Sequence, residues 1–177
     1  ALHGGDGENG RLQALFDLLD IRYTGSGSLG CAVAMHKWVA RQLLCGAGIP
    51  VPRGALLREG ETESGIPLPC VVKPCCGGSS IGIAIVRTDA EYRSALEQAF
   101  RYEREVLVEE YIAGRELSAG VLDGRALPLI EIIPRGEFYD YAHKYQAGWT
   151  EEITPTRLDA ATTARIMPMS SCRARPI

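Results

Sequence analysis

The sequence predicts an α/β fold of the α+β kind, in which helices flank an antiparallel central sheet. Two apolar runs, residues 70–72 and 81–86, have the length and composition of buried strands. The loop of residues 73–80 that joins them is too short for the crossover helix that parallel neighbours require, so the two strands are predicted to be antiparallel. A helix-start signal at Thr88 and a further apolar run at 106–112 continue the alternation of helix and strand.

Two helices are predicted before this sheet. Residues 11–19 form a short amphipathic helix, and residues 28–45 follow helical spacing as one longer helix that ends before Pro50. Within the second helix we interpret His36 and Lys37 as a solvated pair. The apolar face of the first helix consists of Leu12, Leu15, Phe16 and Leu19.

After the sheet loop, Thr88 and Glu91 have the spacing of a capping box, and the helix they begin should end near residue 104. Strands at 116–122 and 126–133 are predicted to form a hairpin at Asp123-Gly124, because Asp-Gly favours tight turns. Residues 134–157 are predicted to be irregular, and a last helix should begin near Asp159.

The composition excludes several classes of protein. The chain of 177 residues is 46% hydrophobic and 23% charged, as expected of a globular protein, and its net charge of -3 argues against a nucleic-acid partner. No apolar run reaches the roughly 18 residues of a membrane span, and no secretory signal is visible. The six cysteines contain no C-x-x-C pair, and adjacent Cys75-Cys76 favours a reducing, cytoplasmic setting.

The loop between the first two predicted strands, residues 73–80, contains the residue types of a candidate binding site. Glycine lets successive backbone N–H groups point at one place, serine adds hydroxyl donors and Lys73 adds positive charge, a combination suited to phosphate oxygens. A P-loop places its lysine after the glycines and opens a helix, so this loop is a different device. A tight hairpin with a buried lysine stem is an equally weighted alternative from spacing alone.

Several segments occur in a characteristic order along the chain: HGGDGENGRLQ (3–13), YTGSGSLGCAVAMHK (23–37), VVKPCCGGSSIGIAIV (71–86), VLVEEYIAGREL (106–117) and FYDYAHKY (138–145). Taken together, they resemble the D-alanine–D-alanine ligases of the ATP-grasp superfamily over about residues 1–166. The resemblance implies an ATP-grasp fold, incomplete at both ends. It also implies ATP-dependent joining of two D-alanines through an acylphosphate for peptidoglycan synthesis, with ATP and Mg²⁺ or Mn²⁺ as cofactors and a homodimer as the full-length form.

The resemblance also assigns residues to the nucleotide phosphates. Lys37 and Lys73 match two lysines that contact the phosphates, and the glycine-rich loop matches a flap that covers them. Ser79 additionally matches a serine that orders the first D-alanine site. The flap residues are Gly77, Gly78, Ser79 and Ser80.

Other matches concern the rest of the ligand. Glu109 and the backbone of Ile112 match the adenine-binding segment, Glu110 is interpreted as its solvated neighbour, and Glu116 matches the ribose-binding carboxylate. Without the resemblance, Glu109 and Glu110 would be interpreted as a solvated strand edge.

Three further residues match the substrate side of the family's site. Lys144 and Tyr145 match a lysine and a tyrosine that close over the site, and together with Ser79 they are the predicted catalytic residues. His3 matches a histidine near the second D-alanine, and Tyr145 favours D-alanine over D-lactate or D-serine as that substrate. Considered alone, His3 would be an exposed loop residue, and Tyr139, Tyr141 and Tyr145 would be a surface cluster.

The resemblance divides the chain into three parts. Residues 1–25 match a remnant of the N-terminal substrate domain, 26–112 a central ATP-grasp subdomain, and 113–177 a partial C-terminal subdomain with an unrelated tail from about 167. No metal ligand is predicted in this chain, since the family's carboxylates lie in a C-terminal segment that it does not match. We therefore expect little ligase activity from these residues alone. An inactive nucleotide-binding module and another ATP-grasp carboxylate–amine ligase remain alternatives.

Overall fold

The computed structural model describes residues 4–122, 125–134 and 150–170, with side chains as far as residue 167. The chain divides into two compact units, residues 1–112 and 113–177, which are described separately. Several sequence predictions lie outside the described residues: those on His3, the Asp123-Gly124 turn, Tyr139, Tyr141, Lys144 and Tyr145.

Four α-helices are described in the first unit, after a short 3₁₀ turn at Gly5–Gly7. They are α1 (Arg11–Leu18), α2 (Ser28–Met35), α3 (Lys37–Gly46) and α4 (Asp89–Phe100). None of the helices described in either unit is long and apolar enough to cross a lipid bilayer.

The prediction of one helix over 28–45 is wrong, because the chain breaks at His36. This residue is extended, with φ −89° and ψ 96°, and joins α2 directly to α3. Its side chain lies 3.2 Å from a carboxylate oxygen of Glu105, so the interpretation of His36 as part of a solvated pair is wrong as well. The next backbone N–H, of Lys37, donates to the carbonyl of Cys75 at 2.8 Å. Contacts distant in sequence therefore replace the helical hydrogen bonds.

The sheet of the first unit confirms the predicted antiparallel arrangement. Its strand order is β1-β4-β2-β3, and every neighbouring pair is antiparallel. The strands are β1 (Gly54–Arg58), β2 (Cys70–Pro74), β3 (Ala84–Val86) and β4 (Glu105–Glu110). Residues 81–83, predicted as strand, instead belong to the turn and approach that precede β3.

Strand alternation gives this sheet two different faces. Val72 lies opposite Val108 in the register, and both are fully buried on the face that packs against α4. Lys73 and Glu109, one residue further along their strands, consequently project from the other face. Burial of each such valine stabilises the fold by about 1.5–3 kcal/mol. The core comprises Leu57, Cys70, Val72, Val86, Ala95, Leu96, Ala99, Val106 and Val108.

The second unit contains small antiparallel sheets and one described helix. Strand β5 pairs with β8 and β8 with β9, while β6 pairs with β7, as expected of the predicted hairpin. The sequence predicts residues 134–157 to be irregular, and β9 corrects that prediction. The elements are β5 (Glu116–Ser118), β6 (Val121–Leu122), β7 (Arg125–Ala126), β8 (Ile130–Pro134), β9 (Thr150–Ile153) and α5 (Ala160–Ser170).

The predicted capping box begins α4. The Thr88 hydroxyl accepts a hydrogen bond from the Glu91 backbone N–H at 3.3 Å, and the Glu91 carboxylate accepts from the Thr88 N–H at 3.2 Å. Each bond satisfies an N–H group that would otherwise lack a helical partner. The helix ends at Phe100, earlier than the predicted residue 104.

We expect Thr88→Ala to lower the free energy of unfolding by about 1 kcal/mol, because the first turn of α4 loses its side-chain acceptor. Chemical denaturation followed by circular dichroism measures this change. Ser94→Ala, at an exposed position inside the same helix, is the control and should be neutral or slightly stabilising. Equal stability of Thr88→Ala and the unmodified chain would contradict the assigned role of the cap.

Candidate functional site

The face of the first sheet opposite α4 carries a compact group of charges. The Lys73 ammonium pairs with the carboxylate of Glu109, which is only 7% exposed. The Arg41 Nε atom, on α3, lies 3.7 Å from the other oxygen of the same carboxylate. A buried carboxylate between two cations avoids the large cost of an unpaired buried charge.

Arg41 is held by groups around its guanidinium. Its Nε and Nη2 atoms donate to the carbonyl of Pro52 at 3.1 and 2.6 Å, and its guanidinium carbon lies 5.4 Å from the Trp38 ring centre. Gly54 leaves the space for this approach, because a Cβ there would lie 3.0 Å from both Arg41 Nε and Glu109 Cγ. The glycine therefore allows α3 to present its arginine close to β1 and β4.

Lys37 begins α3 and lies against the start of the glycine-rich loop. Its ammonium donates to the carbonyl oxygens of Pro74 at 3.0 Å, of Cys75 at 3.4 Å, and of Gly77. These three acceptors use all three protons of the ammonium. Burial lowers the pKa of Lys37, and the negative charge of Glu103 opposes that shift.

The glycine-rich loop turns through backbone conformations that serine rarely adopts. Ser79 and Ser80 have φ values of 51° and 60°, and the Ile81 N–H donates to the Gly78 carbonyl at 3.1 Å. Positive φ at both central residues is the pattern of a type I′ turn, in which glycine and asparagine are usual. Such conformations cost about 1–3 kcal/mol each and cluster at functional sites.

The two cysteines of the loop differ in exposure, but both have a raised pKa. Burial raises the pKa of the Cys75 thiol to about 12. Burial also raises the pKa of Cys76, and the nearby carboxylate of Glu103 adds to that shift. Burial therefore disfavours the thiolate, which is the nucleophilic form, at both positions.

The structure brings together one set of predicted residues. Lys37 lies beside the loop of residues 77–80, Lys73 lies close enough to Lys37 for the two charges to interact, and Glu109 pairs with Lys73. A Cβ added at Gly78 would meet no atom within 4 Å, so the tip of the loop is open to a ligand. This combination of cations and an open glycine turn fits an anionic ligand with several oxygens.

The other predicted nucleotide residues are placed differently. Glu110 accepts from the Arg53 backbone N–H at 2.8 Å and from its Nε at 3.1 Å, and these bonds lower the pKa of Glu110. Glu110 thus forms a surface ion pair with Arg53, and its interpretation as a solvated neighbour of the adenine-binding segment stays a prediction. Ile112 is 61% exposed at the end of the first unit, and Glu116 is exposed at the start of β5 in the second unit.

Sequence reasoning missed three participants of this charged face. Arg41 follows Lys37 by four residues, so helical spacing could have indicated it. Glu103 accepts the Cys76 N–H, and Glu105 pairs with His36. Neither carboxylate follows a pattern that separates it from the many acidic residues of the chain.

Acidic residues of the described ranges do not gather into a metal site. Among residues 4–122, 125–134 and 150–170, no three His, Cys, Asp or Glu side chains are grouped to hold an ion. The described residues therefore supply no ligand set for a divalent metal.

The second unit has a buried carboxylate that the sequence did not single out. Glu131, on β8, is 4% exposed and accepts both a hydrogen bond from Arg115 Nε at 2.6 Å and a second from the same guanidinium. The Thr156 hydroxyl and the Arg157 N–H donate to it at 3.3 and 3.2 Å. The bonds from Arg115 lower the pKa of Glu131 from 4.5 to about 2.

Comparison with solved structures identifies the class of fold. The chain is similar to the D-alanine–D-alanine ligase of Bacillus anthracis, with a TM-score of 0.83, 36% identity, and coverage of 96% of this chain and 57% of that one. A structure of the ligase from the same organism, complexed with ATP, matches with a TM-score of 0.81 and 32% identity. That match covers 96% of this chain and 55% of the other. The architecture is that of an ATP-grasp protein, which confirms the predicted fold class.

Sequence comparison narrows this class to a family. The family model described as "D-ala D-ala ligase C-terminus" matches residues 48–174. The D-alanine–D-alanine ligase of Citrifermentans bemidjiense is 46% identical over 168 residues, which are 94% of this chain and 55% of that protein. This chain belongs to the D-alanine–D-alanine ligase family, as its motifs predicted. It spans about half the length of the curated relatives it matches.

We expect acid to remove the stabilisation that Glu131 provides. Its folded pKa lies below the ordinary value of 4.5, so the contribution is complete above that pH and is lost as pH falls toward 2. The variant Glu131→Gln should be less stable than the unmodified chain at pH 7, and the difference should shrink as pH falls through this window. Thermal unfolding at several pH values measures it. The control Glu151→Gln, which removes a carboxylate from an exposed pair, should show a small, nearly constant difference. A stability difference between Glu131→Gln and the unmodified chain that stays constant with pH would contradict the lowered pKa of Glu131.

We expect Ser80→Gly to leave stability unchanged or to raise the free energy of unfolding by up to about 1 kcal/mol, because glycine adopts the observed φ without strain. Ser94→Gly, in the interior of α4, should instead cost about 0.5–1 kcal/mol. Chemical denaturation of both variants supplies the comparison. A loss at position 80 as large as that at position 94 would show that the turn is unstrained.

Proposed function

We propose that the first unit binds the phosphates of ATP at the loop of residues 77–80, and that the protein to which this chain belongs joins two D-alanines. The observation that carries the proposal is the convergence of Lys37, Lys73 and the open glycine turn. Its support is membership of a family in which an ATP complex has been solved.

Each group of the proposed site has a distinct task. The ammonium group of Lys37 would release its carbonyl partners and donate to phosphate oxygens instead. The loop would supply backbone N–H donors. Lys73 supplies a second charge, held in place by Glu109. Oriented donors of this kind stabilise negative charge as it develops during phosphoryl transfer, without reorganisation of solvent. Ser79 is proposed to order the first D-alanine.

The proposed reaction follows the family's chemistry. The γ-phosphoryl group of ATP passes to a carboxylate oxygen of one D-alanine, which releases ADP and forms an acylphosphate. The amine of a second D-alanine attacks the acyl carbon, loses a proton and displaces inorganic phosphate. Mg²⁺ or Mn²⁺ would neutralise phosphate charge during transfer, although the described residues provide no ligand set for it.

The remaining assignments stand as parts of the proposal. Glu109 and Ile112 would contact adenine and Glu116 the ribose. The residues proposed for the substrate side, His3, Lys144 and Tyr145, lie outside the described ranges. D-Alanine is the proposed second substrate, D-serine and D-lactate are its competitors, and a cytoplasmic homodimer is the proposed form of the longer protein.

We expect Lys37→Ala to weaken ATP binding about tenfold or more, because a charged donor to phosphate contributes about 1.5–3 kcal/mol. Isothermal titration of the purified chain with ATP measures the affinity. Arg93→Ala, which removes an exposed positive charge on α4, is the matched control and should bind as the unmodified chain does. Equal affinity of the Lys37 variant would exclude this site.

A measurement of ADP release distinguishes ligation from nucleotide binding alone. ADP release that depends on added D-alanine would support ligation by these residues alone. Binding of ATP without D-alanine-dependent ADP release would instead favour the nucleotide-binding module.

A further inference from the structure

The turn of residues 101–104, which joins α4 to β4, contacts both ends of the glycine-rich loop. At the start of the loop, the Glu103 carboxylate accepts the backbone N–H of Cys76 at 2.7 Å. At its end, the ring of Tyr102 lies against Gly82, where a Cβ would come within 2.9 Å of the ring. A single short turn therefore fixes the two points between which residues 77–81 project.

The peptide group between Cys75 and Cys76 is bonded on both sides. Its carbonyl accepts from the Lys37 backbone N–H at 2.8 Å and from the Lys37 ammonium at 3.4 Å. Its N–H donates to Glu103. If the acceptor at position 103 is lost, the bonds from Lys37 still hold the carbonyl, but the N–H loses the partner that balances them. Rotation of this peptide would swing the carbonyl away from Lys37 and change the direction of the N–H groups that follow.

We infer that Glu103 is a positioning residue for the glycine-rich loop: its hydrogen bond to the Cys76 N–H sets the orientation in which the loop and Lys37 meet phosphate. The inference rests on the proposed phosphate-binding function of the loop. It adds a residue that does not contact the ligand and acts only through the backbone of Cys76 and Lys37.

A positioning role and a purely electrostatic role of Glu103 predict opposite changes in ATP affinity when the side chain is removed. A carboxylate close to a phosphate site repels the ligand, so its removal alone should strengthen binding. A positioning role predicts the opposite result when the acceptor oxygen is lost. Glutamine at this position keeps an acceptor oxygen and removes the charge, whereas alanine removes both.

The test compares Glu103→Ala and Glu103→Gln for binding of ATP and of adenosine, by competition against a fluorescent ATP analogue. We expect the alanine variant to bind ATP about tenfold more weakly, and the glutamine variant to bind it as well as or better than the unmodified chain. Adenosine, which lacks phosphates, should bind all three proteins equally. The control pair Glu97→Ala and Glu97→Gln removes an exposed carboxylate of α4 and should leave both affinities unchanged.

Either of two affinity results would overturn the inference: unchanged ATP binding by Glu103→Ala, or equal weakening by both Glu103 variants.

Amide hydrogen exchange of the ligand-free, unmodified chain provides a second test, which needs neither ATP nor a folded variant. The Cys76 amide should exchange about tenfold more slowly than the Gly78 amide at the loop tip, after correction for intrinsic rates. Equal rates would show that the bond to Glu103 does not hold. Failure of the unmodified chain to bind ATP would refute the proposed function, while the exchange rates would still decide whether the loop is held.

Discussion

The antiparallel pairing of β2 with β4 determines where the buried charges of the first sheet lie. Because side chains alternate along each strand, the register that buries Val72 against Val108 also places Lys73 and Glu109 together on the opposite face. A shift of one residue would expose the valines and bury the charges. The hydrophobic core beneath α4 and the charged face beneath α3 are therefore two results of one register, and the core stabilises the geometry of the site.

On that face, the helix break at His36 controls how the first cation approaches the loop. An uninterrupted helix over 28–45 would give the Lys37 N–H a helical acceptor; at the break it donates to Cys75 instead. The loop is thus joined to α3 by the backbone and the side chain of one residue. Arg41, one turn later, contacts Glu109 from the same side of the helix. Helix α3 and strand β4, which are distant in sequence, thus form one charged surface.

Local patterns in the sequence predicted the fold well. The strands around the loop, the capping box at Thr88 and the antiparallel pairing all depend on short-range spacing, and each was confirmed. The break at His36 was missed because it depends on Cys75 and on Glu105, which lies 69 positions away. The partners of Glu131 and the bond from Cys76 to Glu103 were missed for the same reason. The motifs singled out Lys37, which bonds to the loop at Gly77, and Lys73, which pairs with Glu109, whereas the roles of both lysines toward nucleotide come from resemblance and stay predictions.

The three carbonyl oxygens around the Lys37 ammonium have a consequence for selectivity. A ligand that reaches this lysine must replace acceptors that already satisfy it, so binding yields only the difference between two bonded states. Neutral or weakly charged acceptors gain little in that exchange over backbone carbonyls. A dense cluster of anionic oxygens gains much more, because charge-assisted bonds are stronger. If the loop binds phosphate as proposed, this lysine would favour polyphosphates over singly charged anions such as chloride or acetate.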